Sequence, residues 1–423
     1  MALNFLGGLQ LNEHMNTKKL PLTAAFSAPL LTYAMLFNAK PIVLPNDEVF
    51  CSSIIAQNDD GFCIMSTVSG RIVSADNEKI IVQNNYKGDS IQLFDKINLP
   101  LTSLSSVALI DYIKKCGIVD AFSGIPVYQK CQSSYGTIQR VIINCTESDP
   151  CSGHVRSFIR KNAKGIVLGT KILLQALGVK RAVLAVNSRD EDVVEAFTPY
   201  ISEKGMIVFA PVAPKYPQGN EHLLISSIYK IEVPLTSPTE KSGYAVFSAE
   251  TIFNIYDCLI NTRAVINKAV TVTGDAIYKN ENLYITIGSQ FSEALAHCDG
   301  FKETDHTIIN GGILNGIETD ENDFISPTTN EIIALKQKEP KNGQCVRCSR
   351  CSMVCPIHLA PYRLSENYLN GKHDENLAIG LYNCIECGCC SFVCIGNVDI
   401  LGNIRNDKAC ITPLEQENEK KSR

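Results

Sequence analysis

Two cysteine runs near the end of the chain have the residue type and spacing for iron–sulfur chemistry. The first run reads CVRCSRCSMVCP from Cys345, and the second reads CIECGCCSFVC from Cys384. Both have the spacing C-x2-C-x2-C-x3-C, which is typical of loops that ligate [4Fe–4S] clusters. The eight candidate ligands are Cys345, Cys348, Cys351, Cys355, Cys384, Cys387, Cys390 and Cys394.

The duplicated spacing predicts how the ligands are shared between two clusters. In proteins with two such runs, the first three cysteines of a run hold one cluster, and the fourth ligates the other. One predicted set is therefore Cys345, Cys348, Cys351 and Cys394. The other predicted set is Cys384, Cys387, Cys390 and Cys355. This exchange would bring two redox centres close together, as electron transfer requires.

A pair of zinc sites is the alternative use of these cysteines. Structural zinc is usually bound by paired C-x2-C knuckles, so two complete four-cysteine runs favour cubane clusters. The second run departs from the pattern because Ile395, not proline, follows Cys394. Cys389 is an extra thiol inside that run, and we expect it to pack rather than to ligate.

Composition limits the remaining possibilities. A chain of 423 residues predicts two to four domains, and its net charge of −5 gives no basis for a nucleic-acid partner. The sequence has no apolar run of membrane-spanning length and no basic flank of a secretion signal. We therefore expect a cytoplasmic protein, either free or held by a partner on the cytoplasmic face of a membrane. Its 18 cysteines then serve ligation, catalysis or burial rather than disulfides.

Residues 1–100 predict short strands that are separated by Asn, Asp and Gly turns. PNDEVF and STVSGRIV are typical of one half of a biotinyl- or lipoyl-type β-sandwich, a barrel-sandwich hybrid. Such domains carry a modified lysine in a hairpin, but residues 65–70 contain no lysine. This unit is predicted to be a docking scaffold.

Residues 101–240 predict a Rossmann-like α/β unit. SSVALIDYIKKCGIV and VRSFIRKNAKGIVLGTKILLQALGV have helical periodicity, whereas TIQRVIINC, AVLAVN and MIVFAPV are typical of buried strands. Alternating strands and helices favour a parallel sheet, with a nucleotide or flavin site in the loops after the strands.

The remaining segments complete a multidomain α/β and α+β chain. Residues 241–332 predict a small β-grasp unit that contains the helix AETIFNIYDCLI and the strands AVTVTGDA and NLYITIG. NEIIALKQKEPKNG, from Asn330, is predicted to lead into a two-cluster ferredoxin-like domain over residues 338–410. The charged tail, residues 411–423, is predicted to be disordered.

The order of these segments resembles the RnfC family, the peripheral subunits of the Rnf electron-transport complex. The motifs that carry the resemblance are KYPQGNEHLLI, VTVTGDAIYKNENLYITIG, INGGILNG and the cysteine pair, and they extend over essentially the whole chain. The resemblance implies an SLBB-like β-grasp unit and an α/β unit similar to the flavin-binding subunit of respiratory complex I. It also implies FMN, NADH and ferredoxin as cofactor or partners, together with other electron-transfer subunits.

The flavin loop of that family reads G-x-G-G-A-G-F-P-T-x-x-K, and a later segment reads N-x-x-E-x-E-P. Glycines let the backbone of the loop approach the flavin phosphate. In this chain Asp120, Phe122 and Ser123 stand where glycines are expected, and an Asp carboxylate would repel a phosphate. The residues that match, and that the resemblance places beside a flavin, are Gly124, Lys130, Asn144 and Glu147.

Two functions therefore stay open. The first is a flavoprotein subunit that oxidises NADH, and the second is an iron–sulfur relay without flavin. Cys131, Cys145 and Cys151 are either packed core residues or a thiol redox site in place of the flavin. RnfC-like (PrdC-like) proteins associated with proline reductase form a branch of the family that would fit the second function, with a soluble reductase as partner.

Overall fold

The computed structural model describes residues 2–11, 17–25, 29–94, 103–132, 136–147, 149–201, 205–302, 304–337 and 342–421, and side chains as far as residue 411. Within these ranges the strands are β1 (Leu22–Ala24), β2 (Leu31–Met35), β3 (Lys40–Pro41), β4 (Glu48–Val49), β5 (Ile54–Gln57), β6 (Cys63–Met65), β7 (Gly70–Ala75), β8 (Lys79–Asn84), β9 (Arg140–Asn144), β10 (Ala182–Asn187), β11 (Ile207–Val212), β12 (Tyr244–Ser248), β13 (Asn267–Thr273), β14 (Glu281–Thr286), β15 (His306–Asn310), β16 (Ile317–Thr319) and β17 (Glu331–Lys336).

The helices of the described ranges alternate with the later strands. They are α1 (Ser106–Lys115), α2 (Val127–Gln132), α3 (His154–Leu177), α4 (Glu191–Phe197), α5 (Glu221–Tyr229), α6 (Ala249–Asn261), α7 (Phe291–Ala296), α8 (Arg350–Val354), α9 (Pro361–Leu369), α10 (His373–Ala378), α11 (Cys389–Phe392) and α12 (Ile400–Lys421). None of these helices has both the length and the hydropathy to cross a membrane.

The first unit contains two small antiparallel sheets. One has the strand order β2-β8-β7-β4 and the other the order β3-β5-β6. Apolar residues alternate with polar ones along β7 and β8, so Ile72 and Ile80 point into the core, where they are 1% and 0% exposed. The predicted short strands are confirmed, and the name barrel-sandwich hybrid stays a prediction.

The second unit is a parallel α/β sheet with the order β11-β10-β9-β12. This confirms the predicted parallel sheet. Its central strand β9 has four buried residues in succession, as expected for a strand that helices cover on both faces. Helix α3 packs against α6, and a Cβ at Gly169 would lie 2.0 Å from the carbonyl oxygen of Ile252. The absence of a side chain at Gly169 lets the two helices come this close.

The parallel sheet extends beyond the division predicted at residue 240. Strand β12 pairs with β9 from Tyr244 to Ser248, so α6, which follows it, also belongs to this unit. The segment YAVFS is short and almost entirely buried, so its sequence has no alternation to mark it as a strand.

The third unit is a mixed sheet with the order β1-β14-β13-β17-β15-β16. Helix α7 buries Phe291 and Leu295 against it. Strand β17 lies inside this sheet, parallel to β13 and antiparallel to β15. The sequence predicts this segment as a lead-in to the cysteine unit, but its first four residues are buried between two neighbouring strands. The SLBB-like β-grasp assignment stays a prediction.

The cysteine unit is small and helical. Leu364, Leu381 and Ile404 are fully buried at the centre of its core. Its last helix, α12, continues to Lys421 and so covers most of the segment for which the sequence predicts disorder. Glu and Lys are good helix formers, which explains how a charged tail extends this helix.

The N-terminal segment connects two of these units. Leu3 forms a β-bridge with Val212 at the end of β11, and Leu9 forms another with Tyr216. Between them, the amide of Gly8 donates to the carbonyl of Val354 in the cysteine unit at 2.7 Å. The segment thereby joins the cysteine unit to the edge of the parallel sheet.

Candidate functional site

Four cysteines from the two runs line one cavity of about 360 Å³. They are Cys345, Cys348 and Cys351 of the first run and Cys394 of the second. None of the other four candidate ligands lines this cavity. The grouping is therefore the one that the exchange of fourth ligands predicts.

The remaining cysteines form a second group around Cys355. Burial raises the pKa of Cys384 to about 11, and the neighbouring thiols of Cys387 and Cys355 add to the shift. Burial also raises the pKa of Cys390, with further contributions from Cys387, Cys384 and Cys355. The fourth cysteine of the first run thus lies close enough to interact electrically with the first three cysteines of the second.

The two loops share one backbone pattern. Arg347 and Ser349, two and four residues after the first cysteine, have φ angles of 54° and 61°. Glu386 and Gly388 occupy the same places in the second run, with φ angles of 52° and 74°. Left-handed residues at matching positions turn both chains around a common centre, and three of the four are not glycine.

Hydrogen bonds to sulfur repeat with the same offset. The amide of Leu359 donates to Cys355 Sγ at 3.4 Å, and that of Val398 donates to Cys394 Sγ at 3.4 Å. Both bonds run from the residue four places after the last cysteine. Amide donors to a thiolate favour its charged form, which is the form that binds iron.

Among the residues that the structure describes, no three His, Cys, Asp or Glu side chains converge as ligands of a single metal ion. A cubane cluster presents four separate iron corners to four thiolates, so its ligands surround a volume rather than a point. The cysteines around the 360 Å³ cavity have this kind of arrangement.

Neighbouring side chains fix the second loop. Lys408 Nζ donates to the carbonyl of Cys384 at 2.8 Å and to Glu386 Oε1 at 2.8 Å. Tyr216 Oη, from the parallel sheet unit, donates to the carbonyl of Cys387 at 2.6 Å. Cys389 is completely buried and packs with Tyr216. Tyr216 and Lys408 carry no sequence signal of this role, because each acts on a cysteine distant in the chain.

The second predicted site, in the α/β unit, is centred on Lys130. Its side chain is 2% exposed and lies among the carboxylates of Asp120, Glu221 and Glu240, with Nζ–O distances of 3.5, 3.0 and 3.6 Å. Lys130 Nζ also donates to the carbonyl of Val246 at 2.6 Å. Burial alone would lower the pKa of Lys130, but the three carboxylates raise it above its ordinary value.

Asp120 is the most enclosed carboxylate of this cluster. Its Oδ2 accepts from the amide and hydroxyl of Ser123 at 3.1 and 2.8 Å. Its Oδ1 accepts from the amide of Ser248 at 3.3 Å and the hydroxyl of Thr251 at 3.0 Å. Burial opposes ionisation, yet Lys130 and these donors hold the pKa of Asp120 below its ordinary value.

Asn144 and Glu147 lie at the end of β9, also with their polar atoms engaged. Asn144 donates to the carbonyl of Gly219 at 2.9 Å and accepts from Thr146. Glu147 accepts from the amide of Arg156 at 2.8 Å and the hydroxyl of Ser152 at 2.9 Å. Gly124 has a φ of 69° in the same loop as Asp120. The four predicted flavin neighbours therefore lie around one end of the sheet, but Lys130 faces inward.

The residues present do not fit FMN. Lys130 and the amides of the loop already bind carboxylates of the chain. The cavity beside Phe122, His154 and Ser248 has a volume of about 10 Å³. That volume is at the lower limit for a single water molecule, which needs ~10–15 Å³.

A larger cavity of about 160 Å³ lies at the carboxyl ends of β9, β10 and β11. Its walls include Glu147, Asp149, Arg189 and Tyr216. Ligands of parallel α/β sheets bind at this end of the strands. Burial raises the pKa of Asp149 to about 6, and its oxygens accept from the amides of Cys151 and Ile313.

The three thiols near the flavin loop are core residues in this structure. Cys131, Cys145 and Cys151 are 0%, 2% and 0% exposed. Burial raises the pKa of Cys131 and of Cys151 to about 12, and it also raises the pKa of Cys145. A protonated thiol is a poor nucleophile, so these environments favour packing over thiol chemistry.

A parallel α/β unit joined to a duplicated cysteine unit defines the class as a redox subunit. Residues 113–257 match the Nuo51 FMN-binding domain family, a range that ends within α6 and includes β12. A crystal structure of an NAD+-reducing [NiFe]-hydrogenase aligns with 67% of this chain and 57% of that chain, at 14% identity and a TM-score of 0.49.

Curated relatives narrow the class. The chain is 28% identical over 366 residues to the RnfC subunit of the proton-translocating ferredoxin:NAD(+) oxidoreductase complex of Clostridium ljungdahlii, covering 80% of this chain and 78% of that protein. It is 26% identical over 344 residues to the corresponding subunit of the Na(+)-translocating complex of Acetobacterium woodii, covering 77% of each. The resemblance to the RnfC family is confirmed, because these similarities extend over most of the chain.

Proposed function

We propose that this chain is an RnfC-like electron-transfer protein that passes electrons through two [4Fe–4S] clusters. The observation that carries the proposal is the cavity shared by Cys345, Cys348, Cys351 and Cys394. Cubane clusters, when bound, exchange single electrons. The matching backbone turns and the amide donors to sulfur in both loops support a pair of equivalent sites.

The chain's own residues would set the properties of the two clusters. The first set would be Cys345, Cys348, Cys351 and Cys394, and the second would be Cys384, Cys387, Cys390 and Cys355. The ammonium of Lys408 lies on the carbonyl of Cys384 and favours the more negative, reduced state of the second cluster. Tyr216 holds the same loop from the other side.

We further propose that the chain works beside other electron-transfer subunits. The printed names of its relatives describe ferredoxin:NAD(+) oxidoreductase complexes that translocate ions. An equivalent place here would be peripheral, on the cytoplasmic face of a membrane complex, with NADH or ferredoxin at the ends of the electron path. A soluble reductase is the alternative partner.

A relay without flavin is the second candidate function, and one observation favours it. Lys130 and the loop amides, which the resemblance assigns to the flavin, are bound to Asp120. A chain of this kind would take electrons singly from a protein donor instead of receiving hydride from NADH.

Metal analysis of the anaerobically purified protein tests the clusters. We expect about eight irons and eight sulfides per chain, with no zinc. Cys348→Ala should lose one cluster, because Cys348 lines the first cavity. Cys410→Ala is the matched control, since Cys410 is an exposed thiol outside both runs. Full iron and sulfide in Cys348→Ala would contradict the assignment.

Alanine variants of the two fourth cysteines test the exchange between loops. Cys394→Ala should remove the same electron paramagnetic resonance signal as Cys348→Ala, and Cys355→Ala should remove the other signal. If Cys394→Ala instead matches Cys384→Ala, each run holds its own cluster, and the exchanged assignment is wrong.

A further inference from the structure

We propose that Asp120 occupies, from within the chain, the anion site that a flavin phosphate would need, so that the α/β unit excludes FMN. The inference concerns the specificity of the α/β unit and does not depend on the clusters. It differs from the family resemblance, which implies that this loop cradles the phosphate.

The donors around Asp120 are those of a phosphate site. Two backbone amides, from Ser123 and Ser248, point at its carboxylate, together with the hydroxyls of Ser123 and Thr251. Ser248 is the N-cap of α6, a helix of 13 residues, so its positive end faces the carboxylate. The ammonium of Lys130 lies 3.5 Å from Oδ2. Amides, a helix N-terminus and a lysine together form the usual protein environment of a phosphate.

The site is completely filled. Asp120 is 0% exposed, and both of its oxygens bind at least two donors. A phosphate could reach the same donors only if the carboxylate left. In the resembling family a glycine stands at this point of the loop, and a glycine leaves the donors free.

The surrounding charge also disfavours a phosphate. Lys130 is shared among Asp120, Glu221 and Glu240, so the buried group already contains three carboxylates and one ammonium. Adding a phosphate dianion would place more negative charge where the effective dielectric constant is low, and this repulsion is strong. Burial raises the pKa of Glu221, which is consistent with an excess of carboxylates.

Space for the flavin ring is missing beside the same loop. The adjoining cavity of about 10 Å³ is bordered by Phe122, His154 and Phe158. Phe122 is another residue that stands where the family has a glycine. The phosphate position and the adjoining volume are thus closed by two substitutions in one loop.

Three proteins test the inference: the full-length chain, Asp120→Gly and Asp120→Asn. The probes are FMN, riboflavin and inorganic phosphate, with chloride at equal ionic strength as the control. We expect no acid-released FMN from the anaerobically purified wild type and no quenching of added FMN. Inorganic phosphate should raise the thermal midpoint of Asp120→Gly but not that of the wild type. Asp120→Asn should show no shift, because its amide still fills the site.

The outcomes separate clearly. One FMN per wild-type chain, or saturable quenching of FMN by the wild type, overturns the inference. A folded Asp120→Gly whose midpoint is unchanged by phosphate also overturns it, because Asp120 is then only a brace of the loop. If Asp120→Gly fails to fold, the FMN titration of the wild type decides alone. Iron and sulfide contents test the proposed function separately, so either proposal can fail without the other.

Discussion

Replacing Lys130 by methionine should destabilise the α/β unit strongly. The side chain is 2% exposed and is the ammonium shared by Asp120, Glu221 and Glu240. Removing one partner of a buried ion pair costs ~3–5 kcal/mol, because the other charge stays buried and unpaired. We expect a loss of that size at pH 8, measured as a lower midpoint of urea unfolding. Lys40→Met is the control, because the Lys40–Asp59 pair is exposed and such pairs contribute about 0–1 kcal/mol.

The loss should shrink as the pH falls. Without the ammonium, burial raises the folded-state pKa of the three carboxylates above their unfolded values, as it already does for Glu221. Groups shifted upward contribute stability that is present at low pH and is lost as the pH rises through the folded pKa. In the wild type the shifts of Lys130 and Asp120 act above and below this range. A loss at pH 8 equal to that at pH 5, or no larger than that of Lys40→Met, would refute the reasoning.

Three further predictions concern other parts of the chain. Asp149→Asn should flatten the pH dependence of stability between pH 4 and pH 7, because a folded pKa raised to about 6 makes the wild type lose stability as the pH rises through that value; an unchanged pH profile of thermal unfolding would contradict this. Gly7→Ala should release the N-terminal segment in limited proteolysis, whereas Gly88→Ala should not, because both glycines have a φ of 70° but only the Cβ at Gly7 would lie 2.6 Å from a carbonyl oxygen of the cysteine unit; equal cleavage of the two variants would count against the contact. Lys408→Met should lower the midpoint potential of the second cluster in a redox titration, because it removes a positive charge from the carbonyl of Cys384; an unchanged potential would show that this contact does not tune the cluster.

Strands with a strong local pattern could be predicted from the sequence, and strands defined by their neighbours could not. β9 is a β-branched run between turn residues, and this pattern alone identifies it. β12 and β17 are short apolar segments, so their sheets are fixed only by pairing with β9 and with β13. This is why the predicted divisions at residues 240 and 332 fall inside a sheet and inside a strand.

The same distinction applies to the sites. Spacing alone selects the eight candidate cysteine ligands, because the ligands of one cluster come mostly from one short loop. The sequence also indicates that Asp120 interrupts a glycine loop. It gives no sign that Glu221 and Glu240 join Lys130, since 91 and 110 residues separate them from it. Such a cluster exists only once the chain has folded.

Burial gives the two proposed clusters different surroundings. Cys345 and Cys348 are exposed, so a partner protein could approach the first set directly. The second set lies behind Leu9 and Tyr216, against the edge of the parallel sheet. Because Asp120 closes the flavin site in our proposal, the exposed first set is the better point of exchange with a protein partner. The second set, held by Tyr216 and Lys408, then stores the electron farther from solvent.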